Sequence, residues 1–412
     1  MAHHEIRQRV EVDQAALMSK ILTKYNTEFG MMRELIQNSD DAAADQVRIT
    51  LDLDPATAMV QKVSVWNSGQ EFSDADWKRV TKIAAGNPDA SSVGLFGVGF
   101  YAVFSASDQP EILSGDKAMR FAFEDDGYCT YERALPSFMS GATVSCELRA
   151  GCDAAQWAQP DELVKLTKML AATLMFSRSL ASITLQRTGE SPLILRRELT
   201  PTRSVSCEPP ARPSGDKGVY NMSGPPLFAV AGRQLELAKL ALWIEVEGQK
   251  QTSVELLQVR AELDVKRMHT GRIADTLLQL SKTYRKPMPD RTTLRLLYPP
   301  IASSTAGSGG GGGSGVAAGI SIGEVFEKVC CADGDGRLYI GIGRTDQTTG
   351  CGVHVCGQFL PTMERTAVDL SDRDALLWNK ELLTIAGGVA AAYYLEEQTI
   401  LSGGALVRGE QL

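Results

Sequence analysis

The chain has 412 residues, 43% of them hydrophobic and 22% charged, which is enough for two or three domains with their own cores. With 50 acidic against 42 basic residues the formal net charge is -8, so the molecule as a whole offers no cationic field to nucleic acid or anionic lipid. No run approaches the ~20 apolar residues that span a bilayer, and eight cysteines are too sparse for a disulfide-stapled secreted chain.

In chain order, residues 15–24 and 28–44 read as helices. In the second, Met31, Leu35 and Ile36 form an apolar stripe, while Glu34, Asn38 and Asp41 share the opposite side. Residues 47–53 and 62–66 alternate as strands, and 74–83 read as a helix with Phe72 and Trp77 as packing anchors. A polar stretch at 85–92 leads into a glycine-rich run at 94–100, and a helix follows through Ser105. Four short strands are expected at 111–114, 118–124, 129–134 and 143–148. Helices interleaved with mostly antiparallel strands give an α+β fold, a two-layer α/β sandwich with its helices on one face.

Beyond the break at Pro160, residues 163–176 form an amphipathic helix, and 181–187 and 193–198 read as strands. The Pro- and Ser-rich stretch 201–216 is expected to be a loop. Strands at 236–247, 254–261 and 337–342, a helix at 273–284 and a long apolar helix at 376–395 make a second mixed α/β domain. Within it, 303–315 is built from Gly, Ser, Ala and Thr and reads as a flexible loop, with almost no side chains to repay its ordering. The division is a first domain at 1–155, a connection at 156–235, a second domain at 236–400 with a flexible loop at 303–319, and a tail at 401–412 with no final element. Cys351-Gly-Val-His354-Val-Cys356 alternates as a strand would, and no second Cys/His pair has zinc spacing, so these residues are read as strand.

Two segments carry chemistry. A magnesium-nucleotide site needs a hard oxygen ligand for the ion and a carboxylate that orients water toward the terminal phosphate. Glu34 and Asn38, one turn apart, can face one such pocket. The run Gly94-Leu-Phe-Gly97-Val98-Gly99-Phe100 lets the backbone approach a phosphate closely. It follows a loop and has no Walker lysine, so neither a Rossmann crossing nor a P-loop fits. An ordinary surface helix and a tight glycine turn are the plainer readings of the same residues.

Together with Val65-Trp-Asn67-Ser-Gly69 and Ser140-Gly-Ala-Thr143-Val, these segments resemble, in order and interval, the nucleotide-binding boxes of the Hsp90, gyrase, MutL and histidine-kinase (GHKL) ATPase superfamily. The likeness is strongest to its sacsin-type branch and to large fungal proteins carrying a similar Hsp90-like module. It covers residues 10–150 and, in the fungal proteins, again 335–395. It implies a Bergerat-type fold that takes ATP and Mg²⁺. On that resemblance Glu34 is the general base, Asn38 the Mg²⁺ ligand, and Asn67 the acceptor for the adenine amino group. Gly69 gives the base room, and Gly94, Gly97 and Gly99 cradle the phosphates beneath a lid at 85–92. Asp41, Val98, Phe100 and Thr143 complete the nucleotide contacts.

In such proteins a second domain closes on the terminal phosphate through a Gln, Arg or Lys. Arg344 and Gln347 have that chemistry, and Arg365 is a further candidate. The pattern departs at Asn67, an aspartate in the superfamily, at Glu71, a glycine there, and at Ala142, a threonine there. The Asn67 amide oxygen can still accept from the N6 amino group but lacks a carboxylate's charge. The expected function is Mg²⁺-dependent ATP binding and slow hydrolysis driving a chaperone-like conformational switch. A non-hydrolysing or nucleotide-free interaction scaffold is the alternative. The expected partners are nucleotide, a protein client and a nucleotide-dependent second copy, with no nucleic acid and no membrane, in an intracellular, cytoplasmic setting.

Overall fold

A computed structural model describes residues 28–82, 99–124, 127–207, 227–265, 271–284, 287–299, 335–362 and 366–409, with isolated positions at 16, 18, 22, 316–317, 320–321 and 325–326. The first part contains α1 (Gly30–Asp41), β1 (Gln46–Leu53), β2 (Val60–Asn67), α2 (Asp74–Val80), a 3₁₀ turn (Phe100–Ser105), β3 (Glu111–Glu124) and β4 (Gly127–Glu147). After it come α3 (Pro160–Phe176), β5 (Ser182–Arg187), β6 (Leu193–Ser206), β7 (Phe228–Val246), β8 (Gln249–Val265), α4 (Arg272–Thr283) and β9 (Arg291–Tyr298). The remainder holds the two-residue strands β10 (Val316–Ala317) and β11 (Ile320–Ser321), then β12 (Arg337–Ile340), β13 (Gly343–Thr348), β14 (His354–Gly357) and α5 (Arg373–Gly409).

Val47, Ile49 and Leu51 alternate with more exposed residues along β1, and Val63 and Val65 do the same on β2, so both strands turn one apolar face inward. Met31, Met32, Leu35 and Ile36 of α1 and Leu163, Leu166, Leu170 and Leu174 of α3 join those valines and isoleucines in one core. Each such side chain contributes about 1.5–3 kcal/mol when fully buried, so the helix-on-sheet seam, more than helix propensity, fixes where α1 lies.

Twelve strands form one sheet in the order β13-β12-β14-β9-β8-β7-β6-β5-β1-β2-β4-β3. β1 pairs with β5, and β12 with β14, in parallel; the other neighbours are antiparallel. Two mixed α/β regions can be told apart along this sheet. The core of the second gathers Leu235, Val259, Leu263 and Leu294 of β7, β8 and β9 around Trp378 and Leu382 of α5. Between the regions β6, β7 and β8 run as a ribbon of 14-, 19- and 17-residue strands.

Several elements differ from the sequence reading. α1 stops at Asp41 because Ala43 takes a left-handed φ of 57°, and the Ala42 N–H donates back to the Asn38 carbonyl. The short strands expected at 111–124 and 129–148 are the continuous β3 and β4, with their irregularity at Gly115. β6 runs on to Ser206 where a loop was expected from 201, and a register shift between Pro201 and Arg203 accommodates a proline that has no N–H to donate. The single strand expected at 337–342 breaks after Ile340, and a second strand, β13, follows it; α5 continues to Gly409 through the stretch read as a tail. Of the helix at 15–24, Ala16, Met18 and Leu22 are described and helical, with Met18 buried. The lid at 85–92, the glycine-rich stretch 303–315 and Arg365 lie outside the described residues. No described helix is long and apolar enough to cross a membrane.

Candidate functional site

Four backbone segments meet around the C-terminal half of α1. At its middle, the half-buried Glu34 turns its carboxylate onto Gly99, the residue that opens the 3₁₀ turn; a β-carbon at Gly99 would collide with Oε2 and lie 3.1 Å from Cδ. That turn is held by aromatic packing, with Phe100 against Phe121 at 5.1 Å and Phe104 against Tyr128 at 4.7 Å between ring centres. The Tyr101 hydroxyl donates to the Val80 carbonyl at 2.8 Å and so ties the turn to the end of α2. Burial pushes the Tyr101 phenol up to about 12. Gly94, Gly97 and Val98 of the same run lie outside the described residues, whereas Gly99 and Phe100 are in place.

One turn beyond Glu34, Asn38 is exposed, and its side-chain amide has no partner among the described residues. At the end of the helix the Ala42 carbonyl accepts the Gln70 N–H at 3.2 Å. A β-carbon on Gly69 would come within 2.7 Å of that same oxygen, so only glycine lets the 67–70 turn lie flat on the helix end. Inside this turn the Gly69 N–H donates to the Asn67 Oδ1 at 3.0 Å.

The third wall is the turn at Ser140-Gly141. Gly141 adopts φ of 75° and lies so close to the Asn67 carbonyl that a side chain there would overlap it. Glu71 bridges the two turns: its Oε1 accepts the Gly141 N–H at 3.1 Å and the Ser140 hydroxyl at 3.4 Å. The Gly141 N–H, first among the causes, holds the Glu71 carboxyl below its ordinary range. Ser114, fully buried, donates to the Gly141 carbonyl at 2.6 Å and accepts the Phe72 N–H at 3.0 Å. The sequence signal at Glu71 was its departure from glycine, which did not reveal what it would bind.

Three expected site residues lie elsewhere. Thr143 pairs with Trp66, and Ala142 with Asn67, so the Thr143 hydroxyl is on the opposite face from Asn67; it donates to the Met139 Sδ at 3.4 Å. A buried alanine therefore fills the position beside Asn67. Asp41 forms an ion pair with Arg178 and accepts from Gln37 Nε2 at 3.2 Å, turning it toward the α3 side and away from the turns. Its neighbour Asp40, buried, receives the backbone N–H groups of Arg178 and Ser179 at 2.9 and 3.0 Å and so caps the chain leaving α3. Gln347 has both ends of its amide on the Val368 backbone, accepting at 2.7 Å and donating at 3.3 Å. It is a brace between β13 and Val368, which itself bridges to Pro361.

Arg344 is different. It sits exposed near the start of β13, on the other side of the strand from Gln347. The turn before it reaches back to α1, where the buried Gln37 Oε1 accepts the Ile342 N–H at 3.3 Å. Arg33, next to Glu34, has its guanidinium pulled below the ordinary range first by burial and then in part by the nearby charge of Arg344, against the opposing pull of Glu28 and Asp346. Arg344 of the second region thus lies within electrostatic reach of Arg33 on the helix that carries Glu34.

Two family models match separate stretches of the chain. Residues 12–125 match the family model described as Sacsin domain, and residues 235–403 match the one described as Protein of unknown function (DUF3684). Sacsin of Homo sapiens is 29% identical over 118 residues, which cover 25% of this chain and 3% of sacsin. The chain thus spans a small fraction of that relative's length. A crystal structure of the N-terminal domain of a DNA repair protein is similar over 55% of this chain and 70% of its own, at 10% identity and a TM-score of 0.32.

Proposed function

We propose that the N-terminal region binds a magnesium–purine nucleoside triphosphate, ATP on its likeness to sacsin-type and Hsp90-like modules, and hydrolyses it slowly to drive a conformational switch. The observation that carries this reading is the contact between Glu34 and Gly99. It puts a helix-borne carboxylate beside the end of the glycine run, where a base can take a proton from water attacking a phosphate.

Asn38 suits the metal: it presents a neutral, hard oxygen, exposed and without another partner among the described residues. Mg²⁺ characteristically takes few protein ligands and completes its shell with phosphate oxygens and water. When bound, it supplies charge neutralisation on the phosphates. Asn67 and Gly69 face the base, Gly94, Gly97 and Gly99 receive the phosphates, and Arg344 supplies a donor as charge develops on the transferred phosphoryl group. The Ile342–Gln37 hydrogen bond makes the second region sensitive to the position of α1. The output is a changed surface, read by a protein client or a second copy of the chain.

A non-hydrolysing module is the second reading. It is favoured by the Asn67 oxygen being engaged by Gly69 and by the missing hydroxyl at Ala142. The deciding experiment compares Mg²⁺-dependent turnover and binding in the wild type, Glu34→Ala and Asn38→Ala. Lost turnover with retained binding in Glu34→Ala supports the general base. Equal rates in all three proteins overturn hydrolysis.

A further inference from the structure

At the seam between the two regions lies a cavity of about 180 Å³ that none of the residues assigned to the nucleotide borders. The first region contributes Asp40 of α1 with Phe176 and Arg178 at the end of α3; the second contributes Arg295 of β9, Cys356 of β14 and Leu360. Arg295 and Cys356 are direct cross-strand partners and so share one face of the sheet. The volume is below the ~300–1,000 Å³ of clefts that take drug-sized ligands, so a nucleotide does not fit.

Arginine gathers here beyond what the carboxylates balance. Arg178 is matched: its guanidinium pairs with Asp41 and lies 3.5 Å from Asp40, which also holds the Arg178 and Ser179 N–H groups. Arg295 has no carboxylate in ion-pairing reach among the described residues. It donates to the Ser177 carbonyl at 3.2 Å and to the Cys356 Sγ at 3.6 Å, with its guanidinium 5.8 Å from the centre of the Phe176 ring. Two of the five N–H groups of a guanidinium are so used, and the others stay available. Arg197 of β6 lies within electrostatic reach of Arg295 and Asp40, and its Nε is buried without a hydrogen-bond partner. Burial first, and then the charge of Arg295, pull the Arg197 guanidinium down to about 10, against the attraction of Asp40. Arg178, Arg197 and Arg295 thus share Asp40 and Asp41, and the unmatched charge falls to Arg197 and Arg295. Buried charge without a counterion is costly, and a bound anion supplies one.

We propose that this cavity binds a small organic anion, a carboxylate or phosphomonoester on a compact apolar body, with its oxygens on the Arg295 guanidinium and its body against Phe176, Phe359 and Leu360. A guanidinium fork matches both kinds of oxyanion, and the three apolar side chains are fully buried. Because the walls come from both regions, occupancy ties the end of α3 to β9 and β14 and stiffens the seam. Such binding needs no nucleotide beside Glu34.

The test titrates the full chain with benzoate, phenyl phosphate and the uncharged benzyl alcohol by calorimetry, and maps the site by hydrogen exchange. Benzoate or phenyl phosphate is expected to bind saturably and at least about tenfold tighter than benzyl alcohol. Bound anion should slow exchange at the Arg178 and Ser179 amides and across 356–360. Arg295→Met keeps an apolar stem and should weaken the anion at least about tenfold while leaving benzyl alcohol unchanged. Should that variant fail to fold, the exchange map of the wild type decides: protection at 178–179 and 356–360 upholds the site, and protection confined elsewhere overturns it. Benzyl alcohol binding as tightly as the anions, or neither anion binding the folded wild type, would also overturn it.

Discussion

The Glu34 carboxylate rests directly on the α-carbon of Gly99, with no space for a methyl group between them. The Gly99 backbone has an ordinary φ of -58°, so an added side chain would strain the contact and not the chain. Gly99→Ala is therefore expected to move Glu34 and lower turnover about 100-fold, the low end of general-base effects, while the melting temperature changes little. Single-turnover kinetics beside Glu34→Ala would check this; full activity in Gly99→Ala would detach the contact from the chemistry.

Arg344 and Gln347 lie on one strand yet should behave in opposite ways. Arg344→Ala removes an exposed side chain and should leave stability nearly untouched while lowering turnover by about tenfold or more. Gln347→Ala strands both polar groups of Val368 and should cost about 1–3 kcal/mol in urea unfolding. Swapped outcomes would reverse the two assignments.

Gln37 is the buried link between α1 and the turn before β13. Gln37→Leu leaves the Ile342 N–H without its acceptor and Asp41 without one of its donors. A loss of about 1–3 kcal/mol is expected, with faster hydrogen exchange at Ile342. Unchanged protection at that amide would show that the seam does not depend on Gln37.

Alkaline pH should probe the aromatic turn. The Tyr101 phenol titrates at about 12, above its ordinary 10.0, because burial disfavours the phenolate. A raised pKa contributes stability that is complete below pH 10 and is lost as pH rises through about 12. Tyr101→Phe should lower stability at neutral pH by roughly 1 kcal/mol through the lost bond to Val80. The same variant should flatten the decline above pH 10, measurable as melting temperature against pH; an equally steep decline would assign the effect to other tyrosines.

Much of the first region was legible because it depends on short-range spacing. The apolar positions of α1 place Glu34 and Asn38 together away from the core, and the glycines at 69 and 141 mark the two places where backbone approaches backbone. What escaped depends on parity or distant partners. Ala142 and Thr143 differ by one residue, and on a strand one residue decides the face. Asp41 shares a helix side with Asn38 in projection, but its use is set by Arg178, 137 residues away. Gln347 was chosen for its chemistry, and its partner Val368 lies 21 residues further along, beyond what local spacing shows.

The ribbon of β6, β7 and β8, paired along most of its length despite its register shifts, limits how the two regions can move. A hinge requires a line across which few bonds pass, and here ladders registered from Leu193 to Ser206 and from Phe228 to Val265 straddle the join. Swinging one region shut on the other as a rigid flap would tear those ladders. Motion started at α1 is instead expected to travel as torsion, a small rotation per strand summed across the ribbon and delivered to α5 as a change of tilt.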